Sequence, residues 1–240
     1  MKLHENKILF RQAVQFTADQ MKIPAIYVEK DYWVTYALYT IFNNDIGKDT
    51  VFKGGTALSK CYNMIERFSE VPIEGITHKI GMNRKTAHSY NKEFKGDYGQ
   101  VRDVIILEST WLGYYEPHTT KSIVSFVGQM MMDNEQFDIA KENRLLPFDL
   151  LALEPTRTIC EKVMSLVRFS YGENPIDDLK KKIRHTYDLH QLLKQDEFLK
   201  FFQSTAFDEM LLKVANDDVA SFRNNNKWLN YHPNEALIFK

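Results

Sequence analysis

Residues 52–75 read FKGGTALSKCYNMIERFSEVPIEG. Gly54 and Gly55 follow a short β-type run at 50–52 and precede a segment with helical apolar spacing over 56–68. Glycine can adopt a positive φ and lets a ligand approach the backbone closely, and the first N–H groups of a helix attract anions. The stretch therefore indicates either a phosphate site or a tight turn without a ligand. Its glycine spacing fits neither a Walker loop nor a dinucleotide-binding motif.

Around this turn, the chain divides into helical ends and an extended middle. Helical apolar spacing occurs over 5–21, 26–42, 156–170, 176–194, 196–203 and 206–222. Strand-like runs occur at 76–80, 101–107 and 123–127, and the pattern returns to helix after Pro147. This order predicts an α+β fold. Its predicted parts are a first domain over 1–150, with N-terminal helices at 1–45 and a core at 46–150, and a C-terminal helical domain over 151–240.

Composition excludes some broad classes of protein. The 240 residues carry a formal net charge of −1, so nothing attracts the whole chain to nucleic acid or to an acidic membrane. No apolar run is long enough to cross a bilayer. Cys61 and Cys160 occupy apolar positions of helical patterns, which predicts reduced thiols and a cytoplasmic protein. The histidines and cysteines show no metal-binding spacing.

Several separated strings resemble one family. VEKDYWVTYAL (28–38), VFKGGTALSK (51–60) and IERFSE (65–70) are similar to motifs of the AbiEii/AbiGii nucleotidyltransferase-like toxins, members of the DNA polymerase β-type superfamily. EPTRTICEKVMSLVRFS (154–170) and IRHTYDLHQLL (183–193) resemble that family's later helical motifs. The resemblance implies a nucleotidyltransferase-like mixed sheet core. It also implies the toxin half of a toxin–antitoxin or abortive-infection system, with a cognate antitoxin as partner.

The resemblance also implies which residues bind the nucleotide and act on it. The nucleotide-binding set lies in the glycine turn, on the helix behind it and in the segment that follows: Gly54, Gly55, Thr56, Ser59, Lys60, Arg67 and Ser69. From the residues alone, Thr56 is also a candidate cap for that helix. Lys162 matches the lysine that faces the triphosphate. Asp188 matches the second acid of the family's final Asp-x-x-Asp-Leu pattern, whose first acid is replaced here by His185. Glu108, at the end of the strand VIILE, resembles the superfamily's third carboxylate and is the expected Mg²⁺ ligand. It could equally be a solvated strand end.

The family's principal acid pair is missing at the end of the opening stretch. Family members read Arg-Phe-Ser-Glu-Asp-Ile-Asp-Leu, whereas Glu70 is followed here by Val71 and Pro72. Nucleotidyl transfer needs a divalent ion, and Mg²⁺ needs carboxylate oxygens. Three explanations are open: the sequence omits a segment between Glu70 and Val71, the protein carries a deletion there, or a shortened member has lost catalysis. The first is favoured because both sides of the junction follow the family pattern.

A basic segment suggests RNA as the molecule that accepts the transferred nucleotide. Residues 79–102 combine six Lys and Arg side chains with interspersed aromatics, which suits RNA and equally suits a solvated loop. The predicted function is therefore Mg²⁺-dependent transfer of a nucleotide from an NTP to an acceptor, with tRNA as one candidate. The alternatives are a catalytically inactive nucleotide- or RNA-binding module, and an enzyme that modifies a small molecule or a protein.

Overall fold

The computed structural model describes residues 1–65, 83–96, 104–110, 116–221 and 235–237. Short 3-10 helices occur at Leu3–Glu5 and Asp45–Asp49. The helices are α1 (Lys7–Met21), α2 (Ala25–Phe42), α3 (Gly55–Lys60), α4 (Phe126–Asp133), α5 (Phe137–Glu142), α6 (Pro155–Ser170), α7 (Pro175–Lys180), α8 (Ile183–Leu193), α9 (Asp196–Phe202) and α10 (Thr205–Ser221). The strands are β1 (Asn83–Ser89), β2 (Val104–Thr110), β3 (His118–Ile123) and β4 (Phe148–Leu153).

The described strands form two separate antiparallel pairs. β1 pairs with β2, and β3 pairs with β4. Phe52 extends the second pair by a single parallel bridge to Ala152. Helices and small antiparallel sheets agree with the predicted α+β class, whereas one mixed sheet of the nucleotidyltransferase type stays a prediction. The domain division at residue 150 is likewise a prediction, and β4 runs across it.

Helix α6 is the central helix of the C-terminal half, because 12 of its 16 residues are buried. Its apolar side chains share one cluster with Leu58 of α3 and with side chains of α8, α9 and α10, including Leu192, Phe198 and Val214. The cluster therefore fixes the helix that follows the glycine turn against the helices that carry the later motifs. Glu154 precedes α6, and Pro155 stands at its first position, where a missing N–H costs nothing.

The N-terminal half has its own apolar cluster. α1 and α2 meet at Pro24 and bury Phe10, Val14 and Tyr32 with Val127 of α4. His4 meets Tyr32, and Tyr32 meets Trp33, edge to face in this cluster, so the aromatic side chains of α2 serve core packing. No helix in the described ranges is both long and apolar enough to span a membrane. Cys61 and Cys160 are both free, as predicted.

Several sequence-based boundaries were wrong. The run 123–127 is not a strand: β3 ends at Ile123, and Ser125 caps α4 by accepting the N–H of Gly128 at 3.0 Å. Helix 56–68 stops at Lys60, and Asn63 has a left-handed φ of 52°. The predicted helix 176–194 is two helices, α7 and α8. β4 and the helices α4 and α5 were not predicted, and the strand prediction at 76–80 lies outside the described residues.

Candidate functional site

The glycine turn leaves the β3–β4 sheet at Phe52. The N–H of Phe52 donates to the Leu151 carbonyl at 2.8 Å, and the Phe52 carbonyl accepts the N–H of Leu153 at 2.9 Å. Gly54 then has φ 87° and ψ −167°, a conformation essentially restricted to glycine. A Cβ placed there would meet no atom of the described residues within 4 Å. The backbone geometry therefore requires glycine, and the described part of the chain leaves the space beside it open to a ligand.

Thr56 does not cap the helix behind the turn, contrary to the sequence-based prediction. α3 begins at Gly55 with Gly54 as its N-cap, and no side chain in the described ranges caps it. Thr56 therefore lies inside the first turn of the helix. Its assignment to the nucleotide stays a prediction, as do those of Gly55 and Ser59.

Replacing Gly54 by alanine is expected to destabilise the fold. The added Cβ has room, but an L-residue at this φ and ψ is strained by about 1–3 kcal/mol. Urea unfolding of Gly54→Ala and the wild type measures the difference. A loss below about 0.5 kcal/mol would contradict the assigned backbone conformation.

An ionic network joins the glycine turn to α6. Lys53, the residue before Gly54, places Nζ 3.3 Å from Oε1 of Glu161. The same oxygen lies 3.5 Å from Nε of Arg157, whose guanidinium also contacts the Asp217 carboxylate of α10. Arg157 is 2% exposed. Because Glu161 is adjacent to Lys162, this network places the turn beside the helix that carries the predicted catalytic lysine.

Lys162 and Asp188 form a buried ion pair. Nζ of Lys162 lies 2.7 Å from Oδ2 of Asp188, and their side chains are 8% and 0% exposed. The two residues come from separate predicted motifs on α6 and α8, and the structure brings them together. A buried carboxylate can fix a charged amine at one position, ready to face an anion.

Lys60 is also ion-paired. Its Nζ lies 2.5 Å from Oδ1 of Asp31 and 3.3 Å from the Val124 carbonyl, and its side chain is 9% exposed. The other oxygen of Asp31 accepts the N–H of Phe126 at 2.7 Å. Lys60 therefore holds α3 against α2 and the start of α4. Its predicted contact with a nucleotide is a separate, untested role.

Sequence reasoning gave no role to the triplet Glu29-Lys30-Asp31. In the structure these three side chains are buried and bond to groups of several other elements. Glu29 accepts the N–H groups of Glu93 at 2.8 Å and Phe94 at 3.2 Å. Burial raises the pKa of its carboxyl group, and these two N–H bonds partly oppose the rise. Lys30 donates to the Val104 carbonyl at the start of β2. The sequence feature that could have indicated this role is the run of three charged residues inside an otherwise apolar helix.

Glu108 lies on β2 opposite Lys85 of β1, with Oε2 3.1 Å from the Lys85 Nζ. Both side chains are about one third exposed. Nearby, burial and the positive charges of Arg168, Lys85 and Lys162 lower the pKa of Lys182, while Glu108 opposes the shift. These charges act on one amine, so Glu108 and Lys162 belong to the same region of the molecule.

Other predicted residues cannot be placed. Arg67 and Ser69 lie outside the described residues, as does the junction between Glu70 and Val71. Of the basic segment 79–102, the structure describes 83–96, where β1 carries part of the positive charge on a strand.

Comparison with known proteins gives one finding. A family model described as the nucleotidyl transferase AbiEii toxin of type IV toxin–antitoxin systems matches residues 36–70 and 72–231. The match is interrupted at Val71, at the junction where the sequence departs from the family's acid pair. No match was found among the curated proteins or among the solved structures. The match spans most of the chain, and this protein belongs to the AbiEii nucleotidyl transferase toxin family.

Proposed function

We propose that this protein transfers a nucleotidyl group from an NTP to an RNA acceptor, with tRNA as the first candidate, and that this transfer is its toxic activity. The observation that carries the proposal is the Lys162–Asp188 pair. Its members lie 26 positions apart in two motif-like segments, and they meet at 2.7 Å in a buried setting. The glycine turn is tied to the same helix through Lys53 and Glu161.

In this proposal each part binds or orients the nucleotide. The backbone beside Gly54 binds the phosphates, because a Cβ built at Gly54 would meet no atom of the described residues within 4 Å, its chain neighbours aside. Lys162 neutralises charge that develops on the triphosphate, and Asp188 keeps its amine in place. Preorganised charge of this kind is the main protein contribution to phosphoryl and nucleotidyl transfer.

The described residues do not by themselves fit a metal centre. They contain no group of three or more His, Cys, Asp or Glu side chains placed to hold an ion. Glu108 is ion-paired with Lys85, and the cation Lys182 is nearby. Reactions of this class use a divalent ion held by carboxylates. Glu108 as a Mg²⁺ ligand remains a prediction.

The second candidate is an inactive nucleotide- or RNA-binding module. It is favoured by the step from Glu70 to Val71 without the family's acid pair, and by the interruption of the family match there. Intact mass spectrometry of the natural gene product separates the possibilities. We expect a mass above 28.2 kDa, which corresponds to a longer chain at this junction. A mass equal to 28.2 kDa would remove the explanation of an omitted segment.

The transfer itself is tested with labelled nucleotides. The purified protein is incubated with each α-labelled NTP, Mg²⁺ and total RNA, and the products are resolved by size. We expect label in a discrete RNA band, absent from an otherwise identical reaction with the Lys162→Met/Asp188→Asn variant. Absence of label from every acceptor, with all four NTPs, would reject the catalytic proposal and leave the binding module. Label on a protein or a small molecule would instead reject RNA as the acceptor.

The biological setting follows from the family. A toxin of a type IV system has a cognate antitoxin, and we propose that the two act in the cytoplasm. Induced expression is expected to arrest growth, and co-expression of the antitoxin gene is expected to relieve that arrest.

A further inference from the structure

Lys53 is the residue directly before the glycine turn, so its Cα lies about 3.8 Å from that of Gly54. Its Nζ reaches α6, where it lies 3.3 Å from Oε1 and 3.5 Å from Oε2 of Glu161. The side chain of Lys53 is 42% exposed, and that of Glu161 is 25% exposed. The Lys53 side chain therefore spans from the turn to α6 and remains open to solvent.

The pairing of Lys53 is looser than that of the lysines on α3 and α6. Nζ of Lys60 lies 2.5 Å from Asp31, and Nζ of Lys162 lies 2.7 Å from Asp188, with both lysine side chains at most 9% exposed. Charge-assisted bonds between an amine and a carboxylate are normally about 2.7–2.9 Å long, so both contacts of Lys53 are long. An exposed ion pair changes an equilibrium by about fivefold or less. Lys53 can therefore leave its carboxylate at little cost.

Glu161 keeps a cation when Lys53 moves away. Its Oε1 also lies 3.5 Å from Nε of Arg157, which is 2% exposed and contacts Asp217 of α10. Because Arg157 is buried, it stays beside Glu161 whether or not the lysine is there. The carboxylate is therefore not left without a partner, which lowers the cost of moving Lys53.

We infer that Lys53 exchanges Glu161 for a phosphate group of the nucleotide bound at Gly54. This inference rests on the proposed function, because it adds a binding residue to the nucleotide site proposed there. Lysine carries a compact charge on a flexible stem, so its amine can follow a phosphate as the nucleotide binds. A charge-assisted hydrogen bond to a phosphate is worth about tenfold or more in affinity. That gain exceeds the loss of the exposed contact with Glu161.

Inorganic tripolyphosphate tests the assignment without requiring catalysis. Isothermal titration of the full chain is expected to show affinity that falls about tenfold in Lys53→Gln relative to the wild type. Lys48→Gln is the matched control, because it removes the same charge from a side chain that is 79% exposed and pairs with Asp45 at 2.9 Å. That control is expected to bind within about twofold of the wild type. Both variants are expected to fold, since exposed ion pairs add little stability, and thermal melting checks this.

Glu161→Gln separates the exchange from a fixed structural tether. If Lys53 leaves Glu161 to bind phosphate, removing the competing carboxylate is expected to raise tripolyphosphate affinity by about two- to fivefold. The gain is expected to disappear when Lys53→Gln/Glu161→Gln is compared with Lys53→Gln alone. A gain of the same size in both backgrounds would show only general repulsion between the carboxylate and the phosphate, and would reject the exchange. Unchanged or weaker binding by a folded Glu161→Gln would also reject it.

Other results would overturn the role of Lys53 itself. Wild-type tripolyphosphate affinity in Lys53→Gln would remove this lysine from the site, and an equal loss in Lys48→Gln would indicate diffuse attraction only. Titrations with an NTP and with a single-stranded RNA separate the sources of phosphate, and weakening confined to RNA also contradicts the inference. The labelled-NTP reaction stays a separate test. Lys53-dependent binding without transfer rejects the proposed function and keeps the inference, whereas transfer with Lys53-independent binding does the reverse.

Discussion

Replacing Lys162 by methionine is expected to abolish growth arrest and to reduce label transfer by about 100-fold or more. In the proposed reaction the substitution removes a fixed positive charge beside the phosphates, which in preorganised sites typically costs that much in rate. Lys162→Met is also expected to destabilise the fold by about 3–5 kcal/mol, because Asp188 is then left buried without its cation. The measurements are transfer rate, growth on induced expression, and urea unfolding.

A second variant separates the loss of activity from the loss of stability. Lys162→Met/Asp188→Asn removes both charges and keeps a polar side chain at position 188, so most of the stability is expected to return. Activity is not expected to return, since the amine proposed to face the phosphates is gone. If the double variant regains both stability and transfer, Lys162 serves only to neutralise Asp188, and the proposed catalytic role is wrong. A circular dichroism spectrum matching the wild type confirms that the two proteins are compared in the same fold.

The long helices were predictable from the sequence. In α1 and α6, apolar residues recur at helical spacing, and the observed helices Lys7–Met21 and Pro155–Ser170 agree with the predictions to within about two residues. Spacing alone does not predict that Lys162 meets Asp188, because a contact across 26 positions leaves no local pattern. Only the likeness of both segments to motifs of one family pointed to a shared site.

Short elements were harder to predict, for identifiable physical reasons. Val124 and Val127 gave the run 123–127 a β-branched appearance, but Ser125 supplies an N-cap and the chain becomes helical. β3 was missed because its sequence, HTTKSI, is polar and only Ile123 is deeply buried. In the first case, a single cap outweighed intrinsic propensity.

The polar interior was the least predictable part. Glu29, Lys30 and Asp31 look like solvent-facing residues by type, yet each is at most 4% exposed. Their partners are backbone groups and a lysine far away in sequence, so no periodic pattern in the sequence predicts these contacts. The structure gives these residues a structural role, since they join α2 to α3, α4 and the first strand pair.

Asp31→Ala is accordingly expected to cost about 3–5 kcal/mol, among the largest effects of any single substitution in this chain. It leaves the Lys60 amine, 9% exposed, without its carboxylate, and it removes the acceptor for the N–H of Phe126. Asp45→Ala is the matched control, since Asp45 forms the same kind of lysine pair, with Lys48 at 2.9 Å, on the open surface. That change is expected to stay within about 1 kcal/mol of the wild type. Equal unfolding free energies for the two variants would contradict the assigned burial of Asp31.

The double variant Asp31→Asn/Lys60→Met then tests the two roles of Lys60. Asparagine retains an oxygen for the Phe126 N–H, and methionine fills the volume of the lysine stem, so the fold is expected to recover most of its stability. Tripolyphosphate and NTP titrations of this variant examine the nucleotide role, because the amine is gone while α3 stays in place. A loss of affinity of about tenfold or more, specific to the nucleotide, supports the sequence-based assignment of Lys60. Unchanged affinity would mean that Lys60 only holds the glycine-turn helix against α2 and α4. The backbone at Gly54 and the Lys162 amine would then be among the groups proposed to bind the nucleotide.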